Sequence, residues 1–528
     1  MSRLTKLERL LTKGKITRRE FITRVSALGL TAALTPALLT TPARASIPKK
    51  GGRFRMGMGG GAMSDSLDSA TINEVIVYNL NWQIRNNLVE IDYKGNPIPE
   101  LAESWESTPD AAKWIFKLRK GVQFHNGKTL DAEDVIYSIN HHRGKDSKSA
   151  AKGVVEPIKD IKADGKHEVV FTLSGGNADF PFVLSDYHLT IVPAGTSGAE
   201  WEKGIGTGGY ILQDFEPGVR SLTKNNPNYF KSGRAHFDEV EILNIADTNS
   251  RTSALKTKRI DYMQRAELKT VDLLRNAPDI QIIRTTGSWH YTMPMFTDVA
   301  PFDNNDVRLA LKYAVDREQL LKIVLRGYGS VGNDHPIGPN QRFFASELPQ
   351  RIYDPDKAKF HLKKAGIADY TFKLRVCQTL AFIDIATIYK ENAAEAGINI
   401  EIVKEPANGY YNEVWMKKPW TMTWWSGRPS EDWMFSLTYA ADADWNDTHW
   451  KHKRFNELLL KARAELDKGK RRDMYVEMQG ICSNEGGTVI PLFKDIVEAA
   501  NTKVKYSNLA SDTECDGGKN AERWWFEA

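Results

Sequence analysis

Residues 99–139 read PELAESWESTPDAAKWIFKLRKGVQFHNGKTLDAEDVIYSI. Trp114, Phe116 and Leu118 recur at every second position, the period of a half-buried strand. The chain turns at His125-Asn126-Gly127, and Asp131 is placed to cap the helix that follows. A strand, a turn and a capped helix in so few residues predict a small α/β unit near the start of the chain.

Working outward, residues 53–58 predict a first strand that runs into the glycines at 57–61. Ile72, Val75, Ile76 and Leu80 give a helical period ending near Asn86-Asn87. Residues 155–245 are strand-rich and include Gly204–Gly218, GIGTGGYILQDFEPG. Gly204, Gly206 and Gly209 match G-x-G-x-x-G, but no strand enters them and a strand pattern leaves them. A phosphate cradle needs the opposite order, with a helix N-terminus at its exit. The glycines therefore predict a tight turn feeding a strand. Beyond 300 the texture alternates. One helix carries Val307, Leu311, Ala314 and Val315 and stops at Gly327, and a second runs from Asp354-Pro355 to Gly366. Residues 372–403 predict a β-α-β unit with parallel strands. Residues 453–485 predict two helices around Lys468-Gly469-Lys470.

The ends of the chain bear on its compartment. Residues 1–24 are basic and contain Thr17-Arg18-Arg19-Glu20-Phe21-Ile22, a twin-arginine pattern. A weakly apolar run over Val25–Leu39 leads to Ala43-Arg44-Ala45, a small-x-small cleavage site. Residues 1–45 hold nine Lys/Arg and two Asp/Glu, so the remaining 63 basic and 65 acidic residues carry a formal −2 rather than +5. The pI near 8.7 thus belongs to the leader, and no nucleic-acid or membrane-surface partner follows from it. Cys377, Cys482 and Cys515 allow at most one internal disulfide and have no metal-ligand spacing. Some 480 residues remain, enough for at least two cores.

The segment 99–139 resembles the hallmark of the dipeptide/oligopeptide-type solute-binding proteins of bacterial ABC importers. In the same order follow GTGGYIL and NPNYFKSGRAHFDEVEI within 206–242, PFDNNDVRLALKYAVDREQL (301–320), YDPDKAKFHLKKAG (353–366) and the paired helices after 453. The resemblance implies an α/β, two-lobed periplasmic binding protein, type II-like, with an extra subdomain in the first lobe and a ligand cleft between lobes. The expected divisions are a signal peptide at 1–45, lobe I at 46–295 with a subdomain near 99–200, lobe II at 296–490, and a segment 491–528 returning to lobe I. The implied role is capture of a peptide, peptide-like or amino-acid-derived solute for a membrane permease, by a periplasmic monomer exported through the twin-arginine pathway. A non-peptide solute (a small acid, a nickel chelate or haem) is the alternative, with a secreted hydrolase behind it. No cofactor is expected.

Candidate ligand residues follow from this resemblance and from tryptophan. Seven of the fourteen Trp lie within 415–450, and Trp suits a surface that covers organic groups. Trp424, Trp425 and Trp433 flank Arg428, Glu431 and Asp432. Peptide-binding relatives carry an aspartate for the ligand's amino group where this chain has Arg428, so the charge is reversed. An arginine there suits a carboxylate or phosphate, with Glu431 or Asp432 available to an amine. Two further features of dipeptide binders are missing. Cys377-Gln378-Thr379-Leu380 lacks an arginine, and Pro406 stands where a tryptophan follows the residue matching Glu405. His449, Tyr210 and Tyr78 are rim candidates.

Signatures of catalysis are absent. No G-x-S-x-G or H-E-x-x-H occurs, and Ser-x-x-Lys at Ser149, Ser221 and Ser253 lacks partner motifs. His141 and His142 diverge by about 100° on a helix and share no metal. The expectation is binding without chemistry.

Overall fold

The computed structural model describes residues 48–367, 369–378 and 381–527. The leader at 1–45 lies outside the described residues. Residues 49–526 form one compact unit. No helix among the described residues is long and apolar enough to cross a membrane.

A ten-stranded mixed sheet is the spine. The strand Arg53–Met58 pairs in parallel with Glu239–Asn244 and with Tyr262–Met263. Arg220–Asn225 and Tyr210–Glu216 extend that side antiparallel. On the other side, the long strand Ile280–Pro294 and the strand Leu492–Asn501 run antiparallel, with a register shift between Thr285 and Trp289. Thr423–Trp425 pairs with the far end of the long strand, at His290–Thr292. A second sheet of four antiparallel strands covers Ala102–Ser107, Lys113–Leu118, Glu168–Leu173 and Ile158–Ala163.

The opening stretch folds as its pattern dictates. Trp114, Phe116 and Leu118 are buried on the four-stranded sheet. Asp131 caps the helix Ala132–Asn140, accepting from the backbone N–H groups of Glu133 and Asp134, while Asp134 caps back onto Asp131. The glycine run is preceded by the 3-10 turn Gly198–Lys203 and followed by the strand Tyr210–Glu216. A Cβ at Gly206 or Gly208 would collide with the backbone carbonyls of Ile84 and Gln83, at the end of the helix Val75–Ile84. Close backbone approach, rather than a phosphate, accounts for these glycines.

The β-α-β unit is observed. Thr371–Cys377 and Asn399–Glu405 pair in parallel, with the helix Phe382–Glu395 between them. Two helix limits differ from expectation, and both breaks are set by caps. The helix read up to Gly327 is two, Asn305–Tyr313 and Arg317–Ile323, because Asp316 accepts from Gln319 N at 2.9 Å and starts a new helix. The paired helices Lys453–Ala464 and Lys468–Glu485 break ahead of Lys468, where Asp467 caps Lys470 N at 2.9 Å. Gly469 falls inside the second helix.

Several hydrophobic cores form. One lies in the subdomain around Phe116, Phe171, Phe180 and Leu184. A second joins Phe54, Tyr210 and Phe237 to Ala500, Cys515 and Trp524 of the C-terminal segment. A third surrounds the parallel pair, with Phe372, Ile400 and Trp420. A fourth holds the paired helices through Phe435, Phe455 and Tyr475, and includes Trp425. All three cysteines are buried and free.

Candidate ligand cleft

Two walls carry the candidates, one rooted in the core of Phe54 and Tyr210 and the other beside the core of Phe372 and Trp420. On the first wall, the helix Val75–Ile84 presents Tyr78 and Trp82, their rings 5.5 Å apart, and Tyr187 lies 4.8 Å from Tyr78. Tyr78 Oη lies 2.9 Å from Thr513 Oγ1, which ties this cluster to the C-terminal segment. Beside it, Arg265 Nε donates to Glu514 at 2.7 Å.

The second wall is the sheet where Thr423–Trp425 meets the long strand. The register places Trp424 opposite Tyr291 and Trp289 opposite Lys494. Trp424 and Trp289 stack at 5.1 Å and 19°, and Trp424 is 36% exposed. Lys494 Nζ lies 5.7 Å from the Trp289 ring centroid. The loop after Trp425 then folds tightly onto Ser288. Any side chain at Gly427 would run into Ser288, so glycine lets the loop lie flat and present Arg428. Among the described residues its guanidinium bonds only within its own loop, to Ser426 O at 3.0 Å, Ser426 Oγ at 2.6 Å and Gly427 O at 3.1 Å.

Electrostatics join the walls. Burial lowers the Arg428 pKa, opposed by the nearby Tyr187 and Asp186 of the first wall. Burial likewise lowers that of Lys494, against an opposing pull from Glu514. Burial raises the Tyr187 phenol to a range where it stays neutral, a hydrogen-bonding group rather than a charge.

Of the candidates, Arg428 and Glu431 line one small cavity, together with Asp92, Ser288 and Asp512; the contacts of the others are separate from it. Glu431 is buried, accepting from Phe343 N at 2.9 Å and from Arg342 Nη2 at 3.1 Å. Asp432 accepts from Arg463 Nε at 3.1 Å. Trp425 is packed between Trp415 and Trp445 in the helix-pair core. Below them, burial pushes the Asp447 carboxyl up to about 7 while the Trp415 indole donates to it at 3.2 Å. Trp433 is half-buried in the first turn of the helix Glu431–Thr438. Tyr210 is fully buried, its hydroxyl donating to Ala521 O at 2.9 Å. His449 pairs with Asp298 at 3.0 Å and stacks on Phe296. Sequence reasoning did not single out Tyr187, Trp289, Lys494 or the Arg265–Glu514 pair.

Among the described residues, no three His, Cys, Asp or Glu side chains are grouped to hold a metal ion.

Comparison with known proteins supplies the family. Residues 96–447 match the model of bacterial extracellular solute-binding proteins, family 5 middle. The di/tripeptide-binding protein 1 of Pseudomonas aeruginosa is 26% identical over 76% of this chain and 81% of its own. The haem-binding protein A of Haemophilus influenzae is 29% identical over 56% and 59%. Among solved structures, the periplasmic binding protein DppA of Helicobacter pylori, in complex with the peptide STSA, aligns with a TM-score of 0.73 at 23% identity, covering 91% of this chain and 99% of that one. A two-walled cleft on a shared spine, set in a chain whose middle two-thirds match one family model, places this protein among the bacterial extracellular solute-binding proteins of family 5.

Proposed function

We propose that the chain is the periplasmic binding component of an ABC importer, capturing a peptide or an amino-acid-derived solute and passing it unchanged to the permease. Lobe I, at 46–295 with its subdomain and the returning segment 491–528, supplies the Tyr78–Tyr187 wall. Lobe II, at 296–490, supplies Trp424 and Arg428. Solute contacts from both walls favour the closed form over the open one, and the permease reads that difference. Export through the twin-arginine route follows from Arg18-Arg19, and a monomer with no catalytic step suffices.

One observation carries this reading. Ile91, Asp92 and Asp512, from one side of the proposed division, line one cavity with Arg428 and Glu431 from the other. Micromolar capture corresponds to about −8 kcal/mol, within reach of a few charged contacts and aromatic cover after ordering costs. Native mass spectrometry of freshly purified protein tests it. A retained small molecule, released intact on denaturation, is expected. Conversion of that molecule by the protein would overturn the reading.

A further inference from the structure

The charges facing the cleft are unevenly spent. Arg428 and Lys494 are both half-buried, and neither makes an ion pair among the described residues. A desolvated cation without a counter-ion is a costly arrangement. The neighbouring acids, in contrast, are already committed. Asp186 holds the His188 ring at 2.6 Å and its backbone N–H at 2.9 Å. Glu514 is held by Arg265 and Gln264. Glu431 and Asp432 are bound to Arg342 and Arg463. Asp512, Asp92 and Glu431 line the same cavity of about 30 Å³ as Arg428. Asp92 accepts from Lys94 N and Asn96 N, and burial raises the Asp512 carboxyl against the opposing pull of Arg523 and Lys519. None of the three pairs with Arg428 among the described residues. Glu74 and Glu267 are exposed to water.

Resting on the solute-capture reading above, we propose that the cleft selects solutes of net negative charge, with Arg428 and Lys494 as their counter-charges and Trp424 and Trp289 against their apolar part. The class is acidic short peptides or acidic amino-acid derivatives. A guanidinium takes a planar carboxylate in two parallel bonds, whereas an ammonium serves as a point charge. A neutral dipeptide would leave one cation unmatched and would bring an ammonium to acids that already have partners.

Calorimetry with matched acid and amide probes tests this: Ala-Glu-Ala against Ala-Gln-Ala, glutamate against glutamine, and succinate against succinamate. In at least one pair the acid should bind tenfold or more tightly than its amide. That advantage should fall below threefold in Arg428→Gln and in Lys494→Met, each checked by thermal melting, so that either variant carries the test if the other does not fold. Equal binding within every pair, preference for the amides, or no binding of any probe would overturn the charge selection. Such results leave capture itself standing, because retention of a solute by freshly purified protein reports on it separately.

Discussion

Asp179 accepts from Arg471 Nη1 at 2.9 Å and from Arg342 Nη2 at 3.1 Å, and all three side chains are largely buried. Asp179 precedes Phe180 of the subdomain core, whereas Arg342 and Arg471 flank Phe343 and Tyr475 of the helix-pair core. Arg342 also lies 4.0 Å over the Phe182 ring, and Ala178 N donates to Arg463 O at 2.7 Å. Burial alone would raise the Asp179 pKa; the two arginines more than reverse that and hold it ionised. These contacts join the subdomain core to the helix-pair core, and the closure proposed above assigns them to the closed form.

Asp179→Asn should therefore weaken solute binding without touching the solute. Breaking a buried pair typically costs about 3–5 kcal/mol, charged here to the closed form. The dissociation constant of the co-purified solute is expected to rise at least tenfold, with the melting temperature of the solute-free protein little changed. An unaltered constant would show that the contact does not contribute to closure.

Trp424 and Trp420 are four residues apart and have opposite fates. Trp424→Ala should lower affinity roughly tenfold while leaving folding intact, since the ring is partly exposed and stacks only on one side. Trp420→Ala should cost about 3–5 kcal/mol of stability, the usual loss for a large core side chain, because Trp420 is 1% exposed. Chemical denaturation and calorimetry on both variants separate the two roles.

Glu498 supplies a pH prediction. Burial pushes its carboxyl up to about 8, against the Tyr262 hydroxyl and Cys515 N–H that donate to it. From pH ~4.5, where an unfolded glutamate ionises, to about 8 the native state holds a proton that the unfolded state has lost. Stability therefore falls with rising pH across that window, by up to about 1.4 kcal/mol per pH unit, and levels off above it. Glu498→Gln should remove this component. Denaturant titrations at pH 5, 6, 7 and 8 should show the wild type losing ground to the variant; parallel curves would contradict the assignment.

Gly206→Ala and Gly208→Ala should each destabilise by roughly 1–3 kcal/mol, the range for overpacking against fixed backbone. Gly175→Ala is the control, because nothing lies within 4 Å of a Cβ built there. Equal melting temperatures across the three would contradict the close-approach explanation.

Much of the scaffold was legible because local rules and tertiary packing agree. Asp131, Asp354 and the alternation at Trp114, Phe116 and Leu118 act within a few residues, and each does in the structure what its pattern requires. The two misplaced helix breaks were also encoded locally, by Asp316 and Asp467, but an uninterrupted apolar stripe and a nearby glycine masked them. The cleft was harder to read. Glu431 and Asp432 beside Arg428 suggested one charged patch, yet a helix start turns both toward Arg342 and Arg463, which are distant in sequence. Trp289 and Lys494 meet only through strand register across about 200 residues. The one local sign was LFKDIV, where Lys494 and Asp495 interrupt an apolar run.

Small-angle scattering with and without the co-purified solute addresses closure most directly, paired with recovery of the solute. The radius of gyration should fall when solute is added to protein stripped of it, and the molecule recovered afterwards should have its original mass. Superimposable curves, or a recovered compound of different mass, would contradict capture by closure.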